Sequence, residues 1–196
     1  MQRKSMGKNI LNPRGYFEDV RWQAVNKAWT GSNYTLRLTE PSDTIIKRYR
    51  KLAKAYQTDR LWGMKSPRLC WIARFLWPLL EDVRVVAVRR DFDATVRSLI
   101  THSRIAYNRK RTLSDKDALA LLTRWRDARD ETLALWGGPM IEVQFEELLA
   151  HPLREAERLC AFASAGTGVD LDPEAGARFV DPELNHDGHH PKEKAQ

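Results

Sequence analysis

The sequence predicts an α/β domain built around a parallel sheet. Short apolar runs of strand length alternate with longer segments whose apolar residues return every three or four positions, and that alternation carries the prediction. The runs are LWGMK (61–65), VRVVAV (83–88) and MIEVQF (140–145). The second is apolar on both faces, the pattern of an inner parallel strand.

The helical segments follow in order. YFEDVRWQAVNKAW (16–29) reads as a short helix. Pro41, Ser42 and Asp43 form a helix-start signal, after which Ile45, Ile46, Tyr49, Leu52, Ala53 and Tyr56 share a face. Pro67 opens a third helix with Leu69, Ile72, Ala73, Leu76, Leu79 and Leu80 on its apolar side. From Asp91, Phe92, Val96, Leu99, Ile100 and Ser103 line one face. Ser114 caps a long helix through Trp136, with Ala118, Leu121, Leu122, Trp125, Ala128 and Leu135 inward, and Gly137, Gly138 and Pro139 stop it. A last helix is expected from Pro152 to Ala163, and beyond Gly166 the pattern fades. The organisation expected is one domain over residues 1–180, followed by a polar, flexible tail over 181–196.

The chain has 196 residues and is 42% hydrophobic, enough for one domain with a core. Its 33 Lys and Arg against 26 Asp and Glu give a formal charge of +7, which favours anionic partners. Cys70 and Cys160 lie in apolar surroundings and read as reduced thiols rather than a disulfide. The opening MQRKSMGKNILNPRG has no apolar stretch of signal-peptide type, and LCWIARFLWPLL is too short and too interrupted to span a bilayer. A soluble, cytoplasmic protein with no membrane partner is the expectation.

In parallel sheets ligands gather at the carboxyl ends of the strands. That rule puts Lys65, closing the first run, at one rim with Arg89 and Arg90, which close the second. Cations from two strand ends outline a phosphate or sulfate site. Arg90 matters most there, because its guanidinium can fork onto two oxygens of one anion. Ser98 falls two helical turns into the following helix, on the face of the helix start, and can add a hydroxyl. The competing reading is a solvated strand end with local ion pairs to Asp91 or Asp93.

Four stretches then occur in a telling order: NPRGYFED (12–19), WGMKSPRLC (62–70), VVAVRRDFDATVRSL (85–99) and VQFEELLAHPLREAERLCAF (143–162). As an ordered set they resemble the recurring pieces of the bacterial branch of the sulfotransferases that use 3′-phosphoadenosine 5′-phosphosulfate (PAPS). The resemblance implies a P-loop-NTPase-like parallel sheet flanked by helices. It implies that Arg90 and Ser98 grip the 3′-phosphate of PAPS and that Lys65 lies near the reacting sulfonate. Arg68 belongs to the same KxPR element and is a candidate for binding acceptor. Glu18 is the candidate base, with Asp19 beside it near the acceptor. Ser66 stands where Asp is common in the family, and Phe92 where Pro is common.

The chemistry accords with those roles. Sulfuryl transfer resembles phosphoryl transfer, an in-line displacement through a loose transition state, so the protein mainly positions the reactants and places cations where charge builds. A base takes the proton of a hydroxyl or amine acceptor, and no metal is required.

One family element is absent from these residues. A strand and a phosphate-cradling loop resembling GMHRSGTS precede the NPKGYFED-like piece in the family; no GxxRSGTS occurs here, and SMGKNI (5–10) lacks both the preceding strand and a hydroxyl after its lysine. The sequence thus predicts a 3′-phosphate clamp without the 5′ cradle, in a truncated form of the fold. Three explanations follow: a segment lying upstream, a partner chain that supplies the first strand, or binding retained after transfer is lost.

Readings of other classes rest on other residues. SRIAYNRKR (103–111) sets Arg104, Arg109, Lys110 and Arg111 beside Tyr107, as a nucleic-acid surface would, but basic residues at a helix end also suit the helix dipole. The alternative function is therefore a non-catalytic protein binding a 3′-phosphonucleotide or nucleic acid. A P-loop kinase is disfavoured because no GxxxxGK(S/T) is present. His102 reads as a surface residue. His186, His189 and His190 with Asp187 could gather a metal, though nothing else supplies a rigid shell around them.

Overall fold

A computed structural model of the protein describes residues 18–31, 37–57, 61–106 and 113–182. Along the chain these form α1 (Val20–Thr30), α2 (Asp43–Tyr56), α3 (Leu69–Leu76), a 3₁₀ turn (Trp77–Leu79), β1 (Val85–Arg89), α4 (Phe92–Ala106), α5 (Asp115–Ala134), β2 (Met140–Gln144), α6 (Phe145–Ala150), α7 (Pro152–Ser164) and α8 (Pro173–Phe179). Among the described residues the sheet has two parallel strands, β1 beside β2, with α4 and α5 in the crossover. The class is α/β, as the alternation implied.

The contacts divide the chain into two compact units. The first holds residues up to Val85, Ala120–Met140 and Gly166–Val169; the second holds Val86–Leu119, Ile141–Ala165 and the residues from Asp170 onward.

The core of the first unit is aromatic. Trp22, Val25, Asn26 and Trp29 recur at helical spacing on α1, and Ile45, Tyr49, Ala53 and Tyr56 do so on α2. These faces enclose Ile72 and Leu76 of α3. Trp22 stacks on Tyr49 at 5.8 Å and on Trp62 at 6.0 Å between ring centroids, while Trp29 meets Phe75 edge-on at 5.2 Å. Asp19 caps α1 through Arg21 N at 2.7 Å, and Ser42 caps α2 through Ile45 N at 3.4 Å.

This packing corrects the expected strand over 61–65. Residues 62–66 adopt no regular secondary structure and join no strand ladder among the described residues. Trp62 and Met64 pack against the aromatic core, and Trp62 lies 5.0 Å from the Tyr56 ring. Their apolar character serves helix packing, not a sheet, so Lys65 does not close a strand.

Strand β1 forms, but not with two buried faces. Val86 is 45% exposed and Val88 is 55% exposed, while Ala87 between them is buried. On β2, Val143 is buried. The buried face of α5 repeats as Ala118, Leu121, Trp125, Ala128 and Thr132. Leu135, expected inward, lies beyond the helix end and is 65% exposed. Phe145, read as the last residue of the third strand, begins α6 instead. At the turn between α5 and β2, a Cβ on Gly138 would sit 2.3 Å from the Trp136 ring, so only glycine lets that indole lie over the backbone. Helix α8, where no element was expected, starts with Asp172 accepting from Ala175 N at 3.0 Å and Pro173 in its first turn.

No helix among the described residues is long and apolar enough to cross a membrane. Cys70 and Cys160 are free thiols. Burial pushes the Cys70 thiol up to about 11.

Candidate functional site

The predicted site residues fall into two groups. Lys65, Glu18 and Arg68 belong to the first unit, and Arg90 and Ser98 to the second.

In the first unit, α1 and the segment before α3 bring Glu18, Gln23, Lys65, Ser66 and Arg68 together. Glu18 is only 7% exposed. Lys65 Nζ donates to Glu18 Oε1 at 2.7 Å, and the lysine side chain is 59% exposed, so the ion pair joins a buried carboxylate to an ammonium that reaches solvent. Gln23 Nε2 donates to Glu18 Oε2 and, at 3.2 Å, to Ser66 Oγ. Gln23 Oε1 in turn accepts from Arg68 Nη1 at 2.9 Å, and Arg68 Nη2 donates to the carbonyl of Gly31 at 3.0 Å. The chain of bonds fixes which end of the Gln23 amide faces the carboxylate.

Arg68 is the buried anchor of this chain, 5% exposed. Burial lowers its pKa, while the nearby Glu18 charge opposes that shift. Its guanidinium bonds run to Gln23 and to the carbonyl of Gly31 in the protein interior.

Next to it, Asp19 accepts from Arg21 Nη2 at 3.1 Å and from the Tyr56 hydroxyl. Burial disfavours the Asp19 charge, yet the bonds from Arg21 and Tyr56 outweigh it and hold the carboxyl below its ordinary range.

In the second unit, the last residue of β1 and the two that follow it meet residues of β2 and of the start of α6. Arg89 Nε and Nη2 bond Glu142 Oε1 at 2.8 and 2.6 Å, a cross-strand ion pair. The Arg90 guanidinium carbon lies over the Phe145 ring, 4.5 Å from its centroid. Asp91 N donates to Glu146 Oε1 at 3.1 Å, and Asp91 Oδ1 caps α4 by accepting from Ala94 N at 2.7 Å. The two neighbouring arginines thus differ in surroundings. Arg89 is engaged by a carboxylate, and Arg90 is half-buried on an aromatic face. Burial lowers the Arg90 pKa, with the Glu146 and Asp91 charges opposing.

Ser98 is half-buried on α4. It lies seven residues after the capping Asp91, or close to two turns, which returns it to the side of the helix on which the cap sits. Arg104 has no described side chain, and Tyr107, Arg109, Lys110 and Arg111 lie outside the described residues. So do His186, Asp187, His189 and His190; among the described residues no group of three or more His, Cys, Asp or Glu is placed to hold a metal ion.

The model of the sulfotransferase family matches residues 7–167. The chain belongs to the sulfotransferase family. No curated protein and no solved structure matches it. The matched range contains Glu18, Lys65, Arg68, Arg90 and Ser98, so it covers both groups. Gln23, Glu142, Phe145 and Glu146 were not singled out from sequence. Gln23 had a local signal, since it follows Glu18 by little more than a helical turn. The other three owe their place to β1–β2 pairing, which residue spacing does not reveal.

Proposed function

We propose that this protein is a sulfotransferase that passes a sulfuryl group from PAPS to a hydroxyl or amine acceptor, within a P-loop-NTPase-like arrangement of its sheet. Arg90 and Ser98 hold the 3′-phosphate, Lys65 stabilises negative charge at the transferring group, and Glu18 takes the acceptor proton. Arg68 supports Glu18 from within and lies near the acceptor side.

The observation that carries this reading is the state of Arg90. A half-buried guanidinium at the end of β1, laid over the Phe145 ring, suits an anion that replaces lost hydration. A phosphate monoester matches the arginine fork in shape and charge, and the Ser98 hydroxyl supplies a neutral donor. The donor set therefore fits the 3′ end of PAPS.

PAPS brings an activated sulfuryl group whose departure leaves adenosine 3′,5′-bisphosphate. The remaining tasks fall to the protein. Lys65 carries a mobile ammonium on a flexible stem, and when it turns from Glu18 toward an anion it releases lone pairs on Oε1. The released oxygen can accept one proton from an acceptor O–H or N–H, while Gln23 still holds Oε2. Cationic stabilisation and proton removal are thereby linked through one ion pair.

The test is a titration of the purified chain with adenosine 3′,5′-bisphosphate and with a DNA oligonucleotide, each at two salt concentrations. Saturable nucleotide binding is expected, weakened about a hundredfold by Arg90→Ala, as two charge-assisted bonds imply, and little changed by Arg89→Ala. Binding to the oligonucleotide alone, collapsing with salt, would instead make this a nucleic-acid-binding protein.

A further inference from the structure

Glu18 and Arg68 are both buried and carry opposite charges, yet among the described residues no bond joins them directly. The Gln23 amide stands between them. Its Oε1 accepts from Arg68 Nη1 at 2.9 Å, and its Nε2 donates to Glu18 Oε2. Arg68 Nε, also buried, has no hydrogen-bond partner among the described residues.

A buried guanidinium with a donor to spare gains from pairing with a nearby carboxylate. A carboxylate so paired is a poor proton acceptor, because taking up a proton sacrifices a charge-assisted bond. The amide prevents that pairing without leaving the carboxylate unheld. Arginine can only donate, so Arg68 draws the carbonyl end of Gln23 and turns the NH₂ end toward Glu18. The Ser66 hydroxyl, 3.2 Å from Gln23 Nε2, accepts from that same end. Oε2 is thereby committed to a neutral donor, and Oε1 faces the Lys65 ammonium, which reaches solvent.

We propose that Gln23 is a positioning residue for the transfer reaction: it is a neutral spacer that keeps the buried Arg68 off the Glu18 carboxylate and presents Oε1 to the acceptor proton. This rests on the assignment of Glu18 as the base. In that reaction the acceptor oxygen or nitrogen bonds to sulfur as the bond from sulfur to the bridging oxygen of PAPS breaks. Adenosine 3′,5′-bisphosphate leaves with that electron pair, and the acceptor proton passes to Glu18 Oε1. Gln23 touches none of the reacting atoms and acts only through Glu18.

Two acceptors separate proton removal from every other part of the reaction. Phenol keeps its proton at about pH 8 and needs a base, whereas 4-nitrophenol is largely ionised there and needs none. Release of adenosine 3′,5′-bisphosphate from PAPS is followed with each phenol, and with water alone, for the full chain, Glu18→Gln and Gln23→Leu. Glu18→Gln is expected to lower the ratio of the phenol rate to the 4-nitrophenol rate about a hundredfold, and Gln23→Leu about tenfold. A general loss of structure would slow both reactions and leave their ratio unchanged. A crystal structure of Gln23→Leu is expected to show Glu18 turned onto Arg68, one direct pair in place of two bonds through the amide. Should Gln23→Leu lose its cooperative melt, Gln23→Met, which matches glutamine in length without its amide, takes its place in both measurements. A ratio that this variant leaves unmoved, or a Glu18 carboxylate that stays clear of Arg68 in it, overturns the spacer role and leaves Glu18 as the base. A ratio that Glu18→Gln does not lower overturns the assignment of the base, and the role of Gln23 with it. No release from the unaltered protein with either phenol or with water overturns the transfer reading itself.

Discussion

Replacing Gln23 with leucine removes the hub of the polar chain behind Glu18. Two bonds to charged partners disappear together: Arg68 Nη1 to Gln23 Oε1 at 2.9 Å, and Gln23 Nε2 to Glu18 Oε2. Each such bond contributes about 1.5–3 kcal/mol, and the buried Arg68 keeps only its contact to Gly31 O among the bonds described above. The added apolar surface of leucine offsets part of the loss, so the net cost should be about 3 kcal/mol. For a chain of this size that corresponds to a fall of roughly 6–12 °C in melting temperature, read by circular dichroism at pH 7. A companion variant, Gln23→Glu, keeps an acceptor for Arg68 but sets a second carboxylate against Glu18. It should also melt below the unaltered protein at pH 7, because two carboxylates then face each other at a buried position. A Gln23→Leu melt within about 1 °C of the unaltered protein would refute the claim that this amide holds the cluster together.

Asp19 offers a test by pH. Its carboxyl is held below the ordinary range, so its stabilising contribution is complete above the unfolded value of about 3.9 and is lost as pH falls through the folded one. Asp19→Asn should cost about 1 kcal/mol at pH 7 in urea unfolding, and the difference should shrink below about pH 4; a gap that stays constant with pH would contradict it. Tyr49→Phe strips the hydroxyl that donates to Asn26 Oδ1 at 2.7 Å, where both residues are fully buried. A loss of about 1–3 kcal/mol is expected from the same measurement, and a loss under about 0.5 kcal/mol would show that the amide finds another donor.

The helices were the legible part of this fold because their signal is local. Trp22, Val25, Asn26 and Trp29 declare a face through spacing alone, and so do Ala118, Leu121, Trp125 and Ala128. The segment 61–65 misled because five apolar-rich residues look alike whether they join a sheet or fill a gap between helices; only the Trp62 ring against Trp22 and Tyr56 decides. Helix α8 escaped notice because PEAGARF has too few large apolar residues to show a period, although Asp172 and Pro173 are a readable start. At the site, the order of motifs was visible and Arg90 stood out over Arg89, but the partners that surround the two arginines were not visible. They depend on which residues of β2 and α6 lie opposite, and register is a property of two strands rather than of either one.

The partners of residues 89–91 lie more than fifty positions further along the chain. Until α4 and α5 have closed that loop, Arg90 has no ring beneath it and α4 no brace at its start. Such distant contacts form late, after the entropy of closure has been met. On the proposed role of Arg90, a newly made chain should acquire affinity for phosphate near the end of folding, when β2 docks, and added nucleotide should slow amide exchange most strongly in Ile141–Phe145, far in sequence from that arginine.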